Sequence, residues 1–368
     1  MNLKLFKKIV SNRDFISHIV AILEIILYVV LSLTYPHIAE KYGYMGFVYN
    51  FNLLRFLSST LLVCFLIVIG IFIKNDFIYA VWHIYLVYNI LPFTIGFYTS
   101  LNGFQVVVVH LIFMIVLILF SYIKFPNINF YNFNINNKNN FIILLVLAII
   151  LSLPFLYYLP YINFNNLLMK NIYETRFLFR EISVKPLNYI STGLVRIILP
   201  VIFISSIIKK KYIISFISLI FIIYIFFCGA FRSYFVGLLA MIVFFVGSNR
   251  FKPVIFTAAV LFMSIFGYLF NDLYILVDAG IRRVLFVPVH LEQIYYEIFN
   301  NNPLYWSQYS FCSVFKEYPF DRPLTYYVGE VILNRPAMNA NVGMLMEGFI
   351  SAGYIGVTIY SLILALFF

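Results

Sequence analysis

The sequence predicts an all-α integral membrane protein of about ten transmembrane helices, with a cytoplasmic N-terminus and two long extracytoplasmic loops. Composition, run length and the charge of the connections carry this expectation. Of 368 residues, 63% are hydrophobic and only 11% charged, where a soluble domain carries about 25% charge. The mean hydropathy is +0.96. Several apolar runs reach the roughly 20 residues that cross a bilayer core.

The runs fall near 15–35, 52–73, 77–98, 104–123, 141–160, 188–208, 212–228, 233–248, 254–272 and 349–368. The first follows "MNLKLFKKIVSNRD" with no small-residue cleavage site, so it reads as an uncleaved span rather than a signal peptide. Every second connection is short and basic: Lys74; Lys124 and Lys138; Lys209, Lys210 and Lys211; Arg250 and Lys252. The positive-inside rule places these with the N-terminal lysines in the cytoplasm. The alternate connections include the long segments 161–187 and 273–348. All fourteen acidic residues except Asp14, Glu24 and Asp76 fall on that outer side. The last run stops at "LALFF" without a basic flank, as an incomplete C-terminus would.

Composition also excludes. The net charge of +11 is spread over short loops with no basic domain, so nucleic acid is not an expected partner. Cys64, Cys228 and Cys312 form no disulfide framework and no CxxC pattern. No GxxxxGK[ST], GxGxxG or DxD is present, and no HExxH or paired-His spacing. Neither a nucleotide nor a metal cofactor is expected. Chemistry is expected on the outer face, on a substrate already carried across.

Polar residues inside runs need partners or a task. His18, His83 and His110 read as bundle-interior hydrogen-bonding groups. Glu24, near the middle of the first run, reads as paired within the bundle, with a histidine as one partner, or as a proton-coupling carboxylate. Arg196 in "STGLVRIILPVIFISSIIKKK" lies roughly 12 Å below the outer end of its run. It either snorkels or pairs, or it binds an anion near the outer leaflet. Arg232 is the only charge in "CGAFRSYFVG". Arg282 and Arg283 follow the ninth run in "VDAGIRRVLFVPVH", and Arg176 and Arg180 stand in "IYETRFLFRE". These outer, membrane-proximal segments hold arginine and no lysine. Arginine suits bidentate binding of phosphate oxygens, and a lipid-linked pyrophosphate is the anion expected at that depth.

In the last outer loop, "VLFVPVHLEQIYYEIF" has helical spacing and could lie on the bilayer surface as an amphipathic helix. "NNPLYWSQYSF" and "KEYPFDRPLTYYVGE" are dense in the aromatic, amide and acidic groups that line sugar sites. "NRPAMNANVGMLMEGFISAGYIGVTIYS" then enters the final run, with glycines at 343, 348, 353 and 356.

Together "NIYETRFLFRE", "GAFRS", "IRRVLFVP…IYYEIF" and "NANVGMLMEGFISAGYIGV" resemble the Wzy-type oligosaccharide repeat-unit polymerases of bacterial O-antigen and capsule synthesis. The resemblance covers roughly residues 170–368; the first half is similar only in hydropathy pattern. It implies a glycosyltransferase at the periplasmic face of the bacterial inner membrane, working without nucleotide or metal. A growing glycan would leave undecaprenyl pyrophosphate and join the non-reducing end of a new lipid-linked repeat unit. Donor, acceptor and membrane lipid are then the partners, with a chain-length regulator protein alongside. On this reading Arg196, Arg232 and one or both of Arg282 and Arg283 hold the pyrophosphate and stabilise the leaving charge. His290 or Glu292 serves as general base, with Glu297, Asp321, Glu330 and Glu347 as further carboxylates. Arg176, Arg180, Asp321, Arg322, Asn339 and Asn341 are expected at the substrate. A ligase that moves finished glycan onto lipid A core, and a flippase or other transporter, are the alternative readings.

Overall fold

The computed structural model describes residues 13–99, 103–123, 138–164, 166, 172–182, 184, 190, 193–229, 248–270, 276–309, 312–314, 316–335 and 338–366. The regular elements among the described residues are all helical, and 8 helices are long and apolar enough to cross a membrane. In chain order the helices are α1 (Arg13–Tyr42), α2 (Leu53–Phe72), α3 (Asp76–Thr99) and α4 (Phe104–Tyr122). There follow α5 (Lys138–Ser152), α6 (Ile172–Ile182), α7 (Leu194–Ile208) and α8 (Tyr212–Gly229). The last four are α9 (Lys252–Leu269), α10 (Val287–Phe299), α11 (Leu324–Tyr327) and α12 (Met344–Ala365). Of the ten expected spans, the sixth forms α7, which is shorter than the eight. The eighth, 233–248, lies outside the described residues apart from its last position.

The chain divides into two compact units, Met1–Lys124 with Ser248–Phe368, and Phe125–Gly247. In the second unit, α7 and α8 form a helical hairpin turned at Lys209–Lys211, with Lys210 at φ 56°. Its core gathers Phe155, Tyr158, Phe179, Leu199, Ile202 and Ile225. The Lys209 ammonium sits 4.2 Å from the centre of the Phe141 ring, a cation over a π face.

The first unit holds α1 to α4 and α9 to α12. Its helices begin where the sequence supplies caps. The Asn52 side chain accepts from Arg55 N–H at 3.0 Å, and that of Asn75 from Phe77 N–H at 2.9 Å; each satisfies an otherwise orphan amide. Pro253 and Pro288 sit in the first turns of α9 and α10, where a missing N–H costs nothing. Leu33, Leu54, Leu61 and Phe72 point outward, each more than half exposed. Such a surface fits lipid and would aggregate in water.

One end of this unit is tied by a buried arginine. Arg250, only 3% exposed, donates to Asp76 at 2.6 Å, to Ser17 Oγ at 2.8 Å and to the Ile73 carbonyl at 2.7 Å. Its guanidinium lies 4.3 Å from the Tyr79 ring centre. The start of α1, the α2–α3 connection and the start of α9 therefore share an end. These are segments that the charge pattern assigns to a common side. Arg250 is consumed by structure there, where the sequence suggested a plain loop charge.

Two features depart from expectation. Helix α10 is largely packed inside: Leu291, Glu292, Gln293 and Tyr295 are all buried against α12, α3 and α4, and Glu297 stays exposed. The final run is broken. Ala352 (φ −151°, ψ 31°) and Gly353 (φ 59°, ψ −146°) leave helical geometry and divide α12 into arms at 344–351 and 354–365. The carbonyls of Ile350 and Ser351, at the end of the first arm, accept instead from Leu304 N–H (2.8 Å) and Tyr305 N–H (2.7 Å). Gly353 occupies a region of backbone space that only glycine enters cheaply.

Candidate functional site

The first arm of α12, the start of α11, Tyr295 of α10 and residues 308–309, 318 and 320–323 line an open pocket of about 460 Å³ in the first unit. Aromatic rings build its walls. Tyr318 packs edge-on against Phe320 at 5.4 Å, and Phe320 in turn lies 4.3 Å from Tyr327. Tyr309 and Tyr295 complete the aromatic lining. The segment is pinned from below by Trp306, whose indole N–H donates to Tyr360 on the second arm of α12 at 3.1 Å.

Polar groups converge on the same space. Asp321, Arg322, Gln308, Thr325 and Glu347 line it. Arg322 grips both oxygens of Asp321 (3.0 and 2.8 Å) and donates to Glu330 at 2.7 Å. Those hydrogen bonds hold the Asp321 carboxyl below its ordinary range. Gln308 donates to Ser351 Oγ at 3.2 Å, while its Oε1 is buried without a protein partner. The Tyr309 hydroxyl reaches Glu347 at 3.4 Å, and burial pushes that hydroxyl up to about 12. Flat apolar faces beside carboxylates and an amide suit a sugar, whose C–H face stacks and whose hydroxyls donate.

A second cluster is internal. His110 receives the Tyr85 hydroxyl on Nδ1 at 2.7 Å and faces Glu292 with Nε2 at 3.0 Å. An Nε2–H tautomer satisfies both contacts. Glu24 and His83, fully buried, form another pair, with His83 Nδ1 2.9 and 3.0 Å from the two carboxylate oxygens. The pairing expected of Glu24 is thus met by a histidine, and His110 is bonded within the bundle. His18 differs: it is exposed and reaches the Asp14 carbonyl at 2.6 Å.

Comparison with models of protein families, with curated proteins and with solved structures found no match.

The expected residues are distributed as follows. Arg282 is buried against Asp278 (2.7 Å), Met45 Sδ (3.4 Å) and the Tyr42 ring (4.1 Å). Burial raises the Asp278 carboxyl, but hydrogen bonds from Arg282 and Tyr42 and the charges of Arg282 and Arg283 outweigh it and hold it low. Arg283 on the next position is exposed. His290 is partly buried 5.4 Å from the Phe47 ring, in a separate cavity of about 150 Å³ lined also by Tyr35, Gln293 and Glu297. Burial lowers its basicity, as does Arg335, against Glu297 and a backbone hydrogen bond at Met45. Glu292, expected at the outer surface as a base, is instead 3% exposed and held by His110. Asp321 and Arg322 line the aromatic pocket; Asn339 and Asn341 are exposed on either side of Ala340, whose carbonyl accepts from Tyr295.

Arg176, partly buried, and Arg196, exposed in a wide helical turn at Leu194–Ile198, belong to the second unit. The expected arginine group is therefore not contained in one unit. The Arg180 side chain and Arg232 lie outside the described residues. Sequence reasoning missed Gln308, Tyr309 and Tyr318 as individuals, although the density of aromatic and amide residues in their stretch had marked it. The Arg282–Asp278 pair stood at helical i, i+4 spacing and was readable.

Proposed function

We propose that this chain polymerises lipid-linked oligosaccharide repeat units at the periplasmic face of a bacterial inner membrane. The observation that carries the reading is the pocket walled by Tyr309, Tyr318 and Phe320 with Gln308, Asp321 and Glu347 at hand. It occurs in a chain with 8 membrane-length apolar helices, which favours a lipid-borne glycan over a soluble one. In the reaction, an acceptor hydroxyl oxygen bonds to the anomeric carbon of the donor glycan. The bond from that carbon to the undecaprenyl pyrophosphate oxygen breaks, and its electron pair leaves with the pyrophosphate. The hydroxyl proton passes to a base.

Glu347 is the carboxylate best placed for that base, since it lines the pocket and, unlike Asp321, is not gripped by Arg322. His290, whose basicity burial lowers, is the alternative. Arg283 is the arginine of the first unit proposed to receive the pyrophosphate, and Arg282 acts by bracing the turn beneath it. A chain-length regulator protein is the proposed partner.

One observation favours a second reading. Two carboxylate–histidine pairs, Glu24–His83 and Glu292–His110, are enclosed among the apolar helices, as in proton-coupled transporters. Deletion and complementation in the producing bacterium separate the cases by the surface glycan seen on a gel. Loss of a polymerase leaves core bearing a single repeat. Loss of a ligase or a flippase leaves core with none, and only the flippase null strands repeat units on the inner leaflet. A null with normal long chains would overturn the proposal.

A further inference from the structure

Resting on the reading of the aromatic pocket as the glycan site, we propose that it selects neutral or amine-bearing sugars and rejects uronic acids. The lining holds Asp321 and Glu347 and, among the described residues, a single cation, Arg322. That cation is already engaged. Its Nε and Nη2 donate to Asp321 and its Nη1 donates to Glu330, and the lining holds a second carboxylate, Glu347. A sugar carboxylate entering here meets like charge with no open arginine fork to receive it, and partial exclusion of water strengthens the repulsion.

The uncharged groups point the same way. Gln308 Oε1 is a buried acceptor without a protein partner, and one of its two amide N–H bonds goes to Ser351. The lining is rich in acceptors. It complements hydroxyl, acetamido N–H or ammonium donors, and a uronate brings more acceptors instead. Tyr318 and Phe320 supply the apolar face that any pyranose needs, so discrimination falls to charge and not to shape.

The test uses the full-length chain in detergent micelles and saturation-transfer NMR with methyl glucoside, methyl glucosaminide and methyl glucuronide at neutral pH. The glucoside and glucosaminide are expected to bind, and the glucuronide at least about tenfold more weakly. Asp321→Asn loosens the grip on Arg322 and should raise glucuronide binding relative to glucoside. Glu347→Gln, which removes a carboxylate without touching Arg322, should shift the ratio in the same direction and serves if the first variant misfolds. Glucuronide binding equal to glucoside in the native protein, or a ratio unmoved by both variants, overturns the selectivity while leaving the glycan pocket standing. Absence of binding by all three overturns the pocket reading as well.

Discussion

Gly348 and Gly356 meet backbone to backbone across the break in α12. A Cβ built on Gly348 would stand 2.7 Å from the Gly356 carbonyl oxygen, and one on Gly356 would strike the carbonyl of Gly348. The two arms can fold together only where both residues lack side chains, and the folded arm is what brings Glu347 and Ile350 to the pocket wall. Gly356→Ala is expected to destabilise the protein by about 1–3 kcal/mol, the usual range for overpacking. Gel filtration of detergent extracts after graded heating reads this out, and a variant as heat-resistant as the parent would contradict the contact.

The Glu24–His83 pair predicts strong coupling. His83→Ala strands a fully buried carboxylate and should cost about 3–5 kcal/mol, whereas replacing both residues by leucine should cost much less. A double-mutant cycle on thermal midpoints measures the difference. Additive losses would mean that the two side chains do not depend on each other.

In the pocket, ring and carboxylate should separate by phenotype. Tyr318→Ala removes a wall and should shorten surface glycan chains, while Tyr318→Phe keeps the ring and should retain them. Glu347→Gln should abolish long chains at normal protein level, since general-base groups contribute on the order of 10²–10⁴ in rate. Long chains in Glu347→Gln would return the base role to His290.

His290 gives a pH prediction whose sign is fixed by its lowered basicity. Below the unfolded value, near 6.5, the unfolded chain binds a proton that the folded imidazole resists. The stability contribution is full above that pH and is lost as pH falls through the folded value. Heat resistance should therefore drop on mild acidification, and His290→Gln should flatten this part of the profile. An unchanged profile in the variant would remove His290 as its source.

Much of the helical framework was legible because hydropathy and loop charge are local quantities. The break in α12 was not, although its glycines at 343, 348, 353 and 356 were visible. An average over a run cannot see a single residue at φ 59°. Likewise α10 read as a surface helix from the helical spacing of its apolar and polar residues, while the partner that holds Glu292 inside, His110, is 182 positions away. Arg322 looked available for substrate because Asp321 and Glu330 read as neighbours, not as teeth filling one fork. Pairwise geometry decides such cases, and no window along the chain contains it.

The Glu24–His83 pair also bears on how the protein is made. Glu24 emerges on the first helix, 59 positions before its partner, and an unpaired carboxylate is poorly tolerated in hydrocarbon. Helix α1 can enter lipid on its own apolar length, but it should stay loosely packed until α3 is synthesised and the pair can form. Nascent chains truncated before His83 should leave α1 open to proteolysis in detergent, and chains extended past Thr99 should protect it. In this protein the packing of the first helix would be timed by a hydrogen bond.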